Sequence, residues 1–339
     1  MDIAVLEYDL ALVGGRQQTM VSGFADYFAE KGHSVSIYGN FLDGHIDREE
    51  DILKHHLADN LTPNDFHLHM GVERGRLSDE VVKEVNRCDL LLVPYPGYST
   101  LQKQVKCPMA VWYIARSKNF YGGYRGRIWT NSHTTKEVIG RDDAVVVYPP
   151  HNYLEFRVCS REWDRRDIDV LMATAVTKRR ERMESLNEAI VRATELHMSG
   201  MKVVGLFLTK TWEERDFVKR LPFETHINVP RRAVADYMGR SKVFLHPSPL
   251  ESCSLSVYEA LNAGCYPIIR RAGAVEEQLG DVGHIYEDFE EATNHIKKVL
   301  SEGYHYDWRE SQDRGIQFDR IMNKTLKSEL SLLRGVYYE

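Results

Sequence analysis

The sequence predicts two α/β domains in tandem, each built on a parallel sheet. Three observations carry this expectation. The chain has 339 residues, enough for two domains of roughly 100–200 residues. Short apolar runs alternate with segments of helical period in both halves. A Pro149-Pro150 pair followed by a polar, irregular stretch to about residue 167 separates the halves.

Residues 3–6 form the first apolar run, and Gly14-Gly15 follow in a loop. From about residue 16 to 31, Met20, Val21, Phe24, Tyr27 and Phe28 recur at helical spacing, and Gly32 stands where a left-handed helix terminator belongs. Residues 34–38 alternate like a strand, which completes a βαβ opening and implies a parallel sheet. Residues 41–65 are polar and acidic and give no assignment. Further strands are expected at 89–93, 109–114 and 144–148, with Trp129-Thr130-Asn131-Ser132 leading into a helix from about His133, capped by Ser132. The second half restarts with a buried strand at 168–172. A helix follows with Met183, Leu186, Ile190, Ala193 and Leu196 on one face, then strands at 203–208, 243–245 and 266–269 and a helix at 255–263. The expected division is 1–155, 165–310, and terminal helices over 311–339 that pack back toward the first domain.

Composition narrows the function classes. Hydrophobic residues are 43% and charged residues 28%, as in an ordinary globular protein. No apolar run approaches the roughly 20 residues of a membrane span. The first residues lack the basic and apolar regions of a signal peptide, so a cytoplasmic location is expected. Five scattered cysteines form no C-x-x-C pair and fit a reducing compartment. His55-His56 and His67-x-His69 lack further ligands at fitting spacing, so no metal site is expected. A net charge of −6 argues against nucleic acid as a partner. One segment departs from that average: residues 99–141 hold eight Lys or Arg against Glu137 alone, interleaved with aromatics. It suits an anionic acceptor or peripheral contact with a membrane, or else is a solvated face.

The most informative motif runs from His246 to Gly264. Pro247 and Pro249 stop the preceding strand, Ser254 and Ser256 are both plausible N-caps, and Gly264 is a plausible terminator. Glu251 then lies in the strand-to-helix loop and Glu259 in the first turns of the helix. A helix N-terminus offers free N–H groups and the positive end of its dipole to a diphosphate. A carboxylate accepts hydrogen bonds from paired sugar hydroxyls, each worth about 1.5–3 kcal/mol. Ser256-x-x-Glu259 also matches a capping box, in which Glu259 would serve only the backbone.

With Pro247-Ser248, Glu251, Glu259-Ala260, Gly264 and Pro267-Ile268-Ile269, the segment resembles the C-terminal motif of family 4 glycosyltransferases. Gly14-Gly15, Lys31-Gly32-His33-Ser34-Val35, Asn131-Ser132 and Tyr148-Pro149-Pro150 are similar to the family's N-terminal half. The resemblance implies the GT-B architecture: two Rossmann-like domains with parallel sheets facing an interdomain cleft. It implies that Glu259 holds the donor ribose and that Glu251 approaches the donor sugar. It implies that the amides of Ser254, Leu255 and Ser256 meet sugar and phosphates, with Gly14 and Gly15 near the ligand. Lys178 and Arg180, in the basic run 177–182, become candidate phosphate ligands, because an anion would relieve cations placed at a helix N-terminus. Three departures stand out. Ser252, Cys253 and Ser254 replace the family's usual glycines. No arginine precedes Lys178 or Arg180 by five residues. Ala115 or Arg116 stands where many members carry a histidine.

The resulting expectation is a retaining, metal-independent hexosyltransferase that uses a UDP- or GDP-sugar and a glycan, lipid or protein acceptor. The alternatives are a sugar-nucleotide epimerase or phosphorylase on the same fold and a non-catalytic sugar-nucleotide-binding protein.

Overall fold

The computed structural model describes residues 1–9, 16–40, 66–69, 72–73, 76–93, 101–114, 124, 126–150, 153–176, 180–209, 211–301 and 306–337. They divide into two compact units. One comprises Met1–Asn152 with Asp319–Glu339, and the other Tyr153–Phe318.

The first unit holds strands β1 (Asp2–Asp9), β2 (Ser34–Asn40), β3 (Phe66–His69), β6 (Leu90–Val93), β7 (Met109–Tyr113), β8 (Arg127–Thr130) and β9 (Val145–Val146), with β4 (Val72–Glu73) and β5 (Arg76–Leu77) forming a separate antiparallel pair. Its seven-stranded sheet runs β3-β2-β1-β6-β7-β8-β9, and every neighbouring pair is parallel. Ile3, Ala4, Val5 and Leu6 are all buried, as befits a central strand covered on both faces. Helix His133–Ile139 begins at Ser132, whose hydroxyl accepts the Thr135 N–H at 3.0 Å, and ends at Gly140 in the left-handed region.

Besides the small β4–β5 pair, two short strands of the main sheet escape sequence reasoning. Trp129-Thr130 read as part of a lead-in to the helix, yet they belong to β8, which lies beside β7. Residues 66–69 drew notice for their histidine spacing, yet they pair with β2 as β3. Four-residue strands are too short for periodicity to declare. The strand expected over 144–148 is reduced to Val145–Val146.

The second unit contains β10 (Ile168–Ala175), β11 (Val203–Leu208), β12 (Glu224–Ile227), β13 (Ser241–His246), β14 (Tyr266–Arg270) and β15 (His284–Tyr286), ordered β12-β11-β10-β13-β14-β15 and parallel throughout. Counted within the sheet this is the doubly wound order 3-2-1-4-5-6, whose direction reverses between β10 and β13. Helix Arg180–Met198 packs Leu186, Ile190, Ala193 and Leu196 into the core, as their spacing predicts. The edge strands β12 and β15 carry half-exposed residues and too little alternation to be read from sequence. The last helix, Trp308–Tyr337, is continuous and contributes residues to both units. Among the described residues, no helix is long and apolar enough to cross a membrane.

Candidate functional site

In a doubly wound sheet, ligands bind beyond the carboxyl ends of the strands where the order reverses. Here those ends belong to β10 and β13. After β13, Pro247 and Pro249 cannot extend the ladder, and the chain turns through residues 247–254 into helix Leu255–Asn262.

Several contacts fix this loop. Arg182 Nη2 donates to the Leu250 carbonyl at 2.6 Å. The Ser185 hydroxyl donates to the carbonyl of Pro247. Ala274 N–H donates to Ser252 O at 3.0 Å. Gln278 clamps Ser254 from both sides, accepting its N–H at 3.0 Å and donating Nε2 to its carbonyl at 2.8 Å. Gly273 has φ +54°, and a Cβ there would lie 1.9 Å from the Glu251 carbonyl oxygen, so only glycine fits.

The loop places Glu251 in a buried position, 6% exposed. Its Oε1 stands 3.8 Å from His246 Nε2 and 3.9 Å from Arg182 Nη2, so two basic groups flank the carboxylate without closing short hydrogen bonds. The Ser254 hydroxyl lies 3.4 Å from His246 Nε2 and 3.0 Å from the Ser256 hydroxyl. Ser248 Oγ is buried and finds no hydrogen-bond partner among the described residues. Such a group costs roughly 1–3 kcal/mol until something satisfies it.

Glu259 sits in the second turn of helix Leu255–Asn262. The N-cap is Ser254, and no side chain makes a cap hydrogen bond there, so Ser256 and Glu259 do not form the capping box that their spacing permits. Instead Glu259 Oε1 accepts from Arg231 Nη1 at 2.6 Å. The helix ends as expected, with Gly264 at φ +72°.

The other expected residues fare differently. The Ser254 N–H, expected to face sugar and phosphates, donates to Gln278 Oε1 at 3.0 Å in this structure. The orphan N–H groups of this helix start with Leu255 and Ser256. The Arg180 side chain is 90% exposed and paired with Glu184, whereas Arg182, two residues on, reaches the loop. Gly14, Gly15 and Lys178 lie outside the described residues, as do Ala115 and Arg116. In the basic stretch 99–141, Trp112, Tyr113, Tyr124 and Trp129 are buried core residues, so these aromatics are not a surface for an acceptor.

Burial pushes the Cys88, Cys107 and Cys265 thiols up to about 11, 12 and 11, away from the thiolate a nucleophile needs.

Comparison with solved structures decides the architecture. The chain superimposes over 97% of its length on all of Anabaena Alr3699/HepE in complex with UDP-glucose, with TM-score 0.68 at 13% identity. A glycosyltransferase from Rickettsia africae ESF-5 gives TM-score 0.70 at 13% identity, covering 100% of this chain and 99% of that one. Sucrose-phosphate synthase from Thermosynechococcus elongatus gives 0.66 at 14% identity, covering 100% and 98%.

The chain has the GT-B fold.

At this level of identity the likeness concerns the GT-B fold alone. Sequence matches are local. The model of the family Glycosyl transferases group 1 matches residues 222–315, which include the loop after β13, the helix that follows it and Arg231. Glycogen synthase 1 of Synechocystis sp. is 28% identical over 111 residues, 30% of this chain. The chain spans 23% of that relative's length.

Proposed function

We propose that this GT-B protein is a glycosyltransferase that moves a hexose from a nucleoside diphosphate sugar to an acceptor hydroxyl, with retention at the anomeric carbon. One observation carries the reading. At the sheet's reversal point, a rigidly held loop and the helix after it set a buried Glu251 and a half-buried Glu259 around a helix N-terminus. The family match over residues 222–315 and the UDP-glucose carried by the Anabaena GT-B neighbour support it.

In this reading the N–H groups of Leu255 and Ser256, at the positive end of the helix dipole, receive the diphosphate. Arg182 supplies cationic support beside them, alongside Lys178 and, with a swing of its exposed side chain, Arg180. Glu259 accepts from the ribose hydroxyls. Glu251 and the Ser248 hydroxyl face the sugar. Catalysis then consists of stabilising charge on the departing diphosphate and positioning the acceptor oxygen. No metal is required, because the helix N-terminus and the basic groups already oppose the diphosphate's charge.

A panel of UDP- and GDP-sugars tests the proposal, read by nucleotide release with and without sugar, lipid and peptide acceptors. The anomeric configuration of any product is read by NMR. The expected result is one preferred donor, acceptor-stimulated release and a retained anomer. Binding without turnover on any acceptor would sink catalysis. Interconversion of the donor alone would replace transfer with epimerisation. Failure to bind any nucleotide sugar would remove the donor site itself.

A further inference from the structure

Arg231 is the first residue of helix Arg231–Gly239, and its N-cap, Pro230, offers no side-chain cap. A cation there meets the positive end of the helix dipole and needs anions nearby. It has two. Nη1 donates to Glu259 Oε1 at 2.6 Å, and Nε stands 3.4 Å from Glu155 Oε2. Its guanidinium carbon lies 4.6 Å from the ring centroid of Phe156, so the planar group is braced against an aromatic face. Phe156 is fully buried, which makes the brace rigid. Three helices therefore meet at one guanidinium: Leu154–Cys159, Arg231–Gly239 and Leu255–Asn262.

We infer that Arg231 is a positioning residue for the donor ribose, acting through the Glu259 carboxylate. The inference rests on the reading of Glu259 given above. A glutamate on a helix has three side-chain torsions, and without a fixed partner its carboxylate can occupy several rotamers. A bond to a fork-shaped donor, itself fixed by a ring and a second carboxylate, holds the Glu259 carboxylate plane in one orientation. The trio of one arginine and two glutamates carries a formal charge of −1. That suits neutral hydroxyl donors such as the two of a ribose. Arg231 need not touch the ligand to fix where those hydroxyls bind.

Calorimetric titration of the full chain with UDP and with 2′,3′-dideoxy-UDP tests this, with the guanosine pair run in parallel. The wild type should prefer the ribose form. Arg231→Gln should weaken binding of the ribose nucleotide about tenfold, the loss of roughly one charge-assisted bond, and leave the dideoxy form within about twofold. Arg231→Lys keeps the charge but cannot engage both carboxylates through separate nitrogens, so its preference should fall between the two. Arg231→Gln added to Glu259→Gln should cost nothing beyond Glu259→Gln alone. Equal losses for both nucleotides would make Arg231 merely structural and overturn the inference, as would an unchanged preference. If Arg231→Gln does not fold, the ratio in Arg231→Lys decides, and a wild-type ratio there overturns it. A wild type that does not distinguish the two nucleotides would instead overturn the ribose role of Glu259, and this inference with it.

Discussion

Glu329 in the first unit and Glu259 in the second each meet an arginine, and the two contacts are built in opposite ways. In the first unit, Glu329 of the terminal helix is 4% exposed and receives bonds from three N–H groups: Arg127 Nε and Nη2 and, at 2.7 Å, Trp129 Nε1. Donors outnumber acceptor oxygens, and Glu329 pins residues 319–337 against β8. In the second unit, one guanidinium, that of Arg231, is divided between two carboxylates, Glu155 and Glu259. Fully satisfied polar groups hold a fold together. A carboxylate braced in one orientation by a shared cation is instead placed to meet a ligand's hydroxyls.

Removing each glutamate tests this contrast. Glu329→Ala should lower stability by about 3 kcal/mol, the low end for breaking a buried pair, because Arg127 stays 33% exposed and can rehydrate. The expected signature is a lower Tm with donor affinity unchanged in the folded fraction. Glu259→Ala should do the reverse, weakening donor binding by about 1.5–3 kcal/mol while the unfolding midpoint holds. Calorimetry and thermal denaturation on the same two samples would break the comparison if both variants lost stability equally.

Gly273→Ala sharpens it by attacking the loop rather than the carboxylates. The positive φ alone costs about 1–3 kcal/mol, and the new methyl group meets the Glu251 carbonyl. Glu251 should shift and turnover should fall more than donor affinity, as a comparison of kcat with KM would reveal. The smallest effect is expected at Asp167, an exposed acid bonded to Arg240 and Lys202. Those cations hold its carboxyl below the usual carboxylate range. A depressed folded-state value means the contribution is present above about pH 4 and fades as pH falls further. Being solvent-screened, it should amount to less than about 1 kcal/mol in an Asp167→Asn denaturation curve measured at pH 7 and pH 3.

Legibility followed the same divide. The buried strands at Ile168–Ala175 and Val203–Leu208, the cap at Ser132 and the terminator at Gly264 were readable because each is written in adjacent residues. The proline-marked loop with Glu251, and the helix after it with Glu259, were readable for the same reason. Arg182 was hidden among neighbours of equal charge. Only the helix's rotation, which turns position 182 toward the loop and leaves position 180 in water, tells them apart. Arg231 and Gln278 gave no signal at all, since their partners lie 28 and 24 residues away.

By itself, the sequence determined two parallel α/β units and a carboxylate-bearing turn ahead of a helix, because hydrophobic period, prolines and glycines act over a few residues. Tertiary structure alone decided that Glu259 meets Arg231 rather than its own helix start, and that Ser254 gives its amide to Gln278. Hydrogen bonds between distant segments depend on where the sheet's crossovers bring them, and no local pattern encodes that.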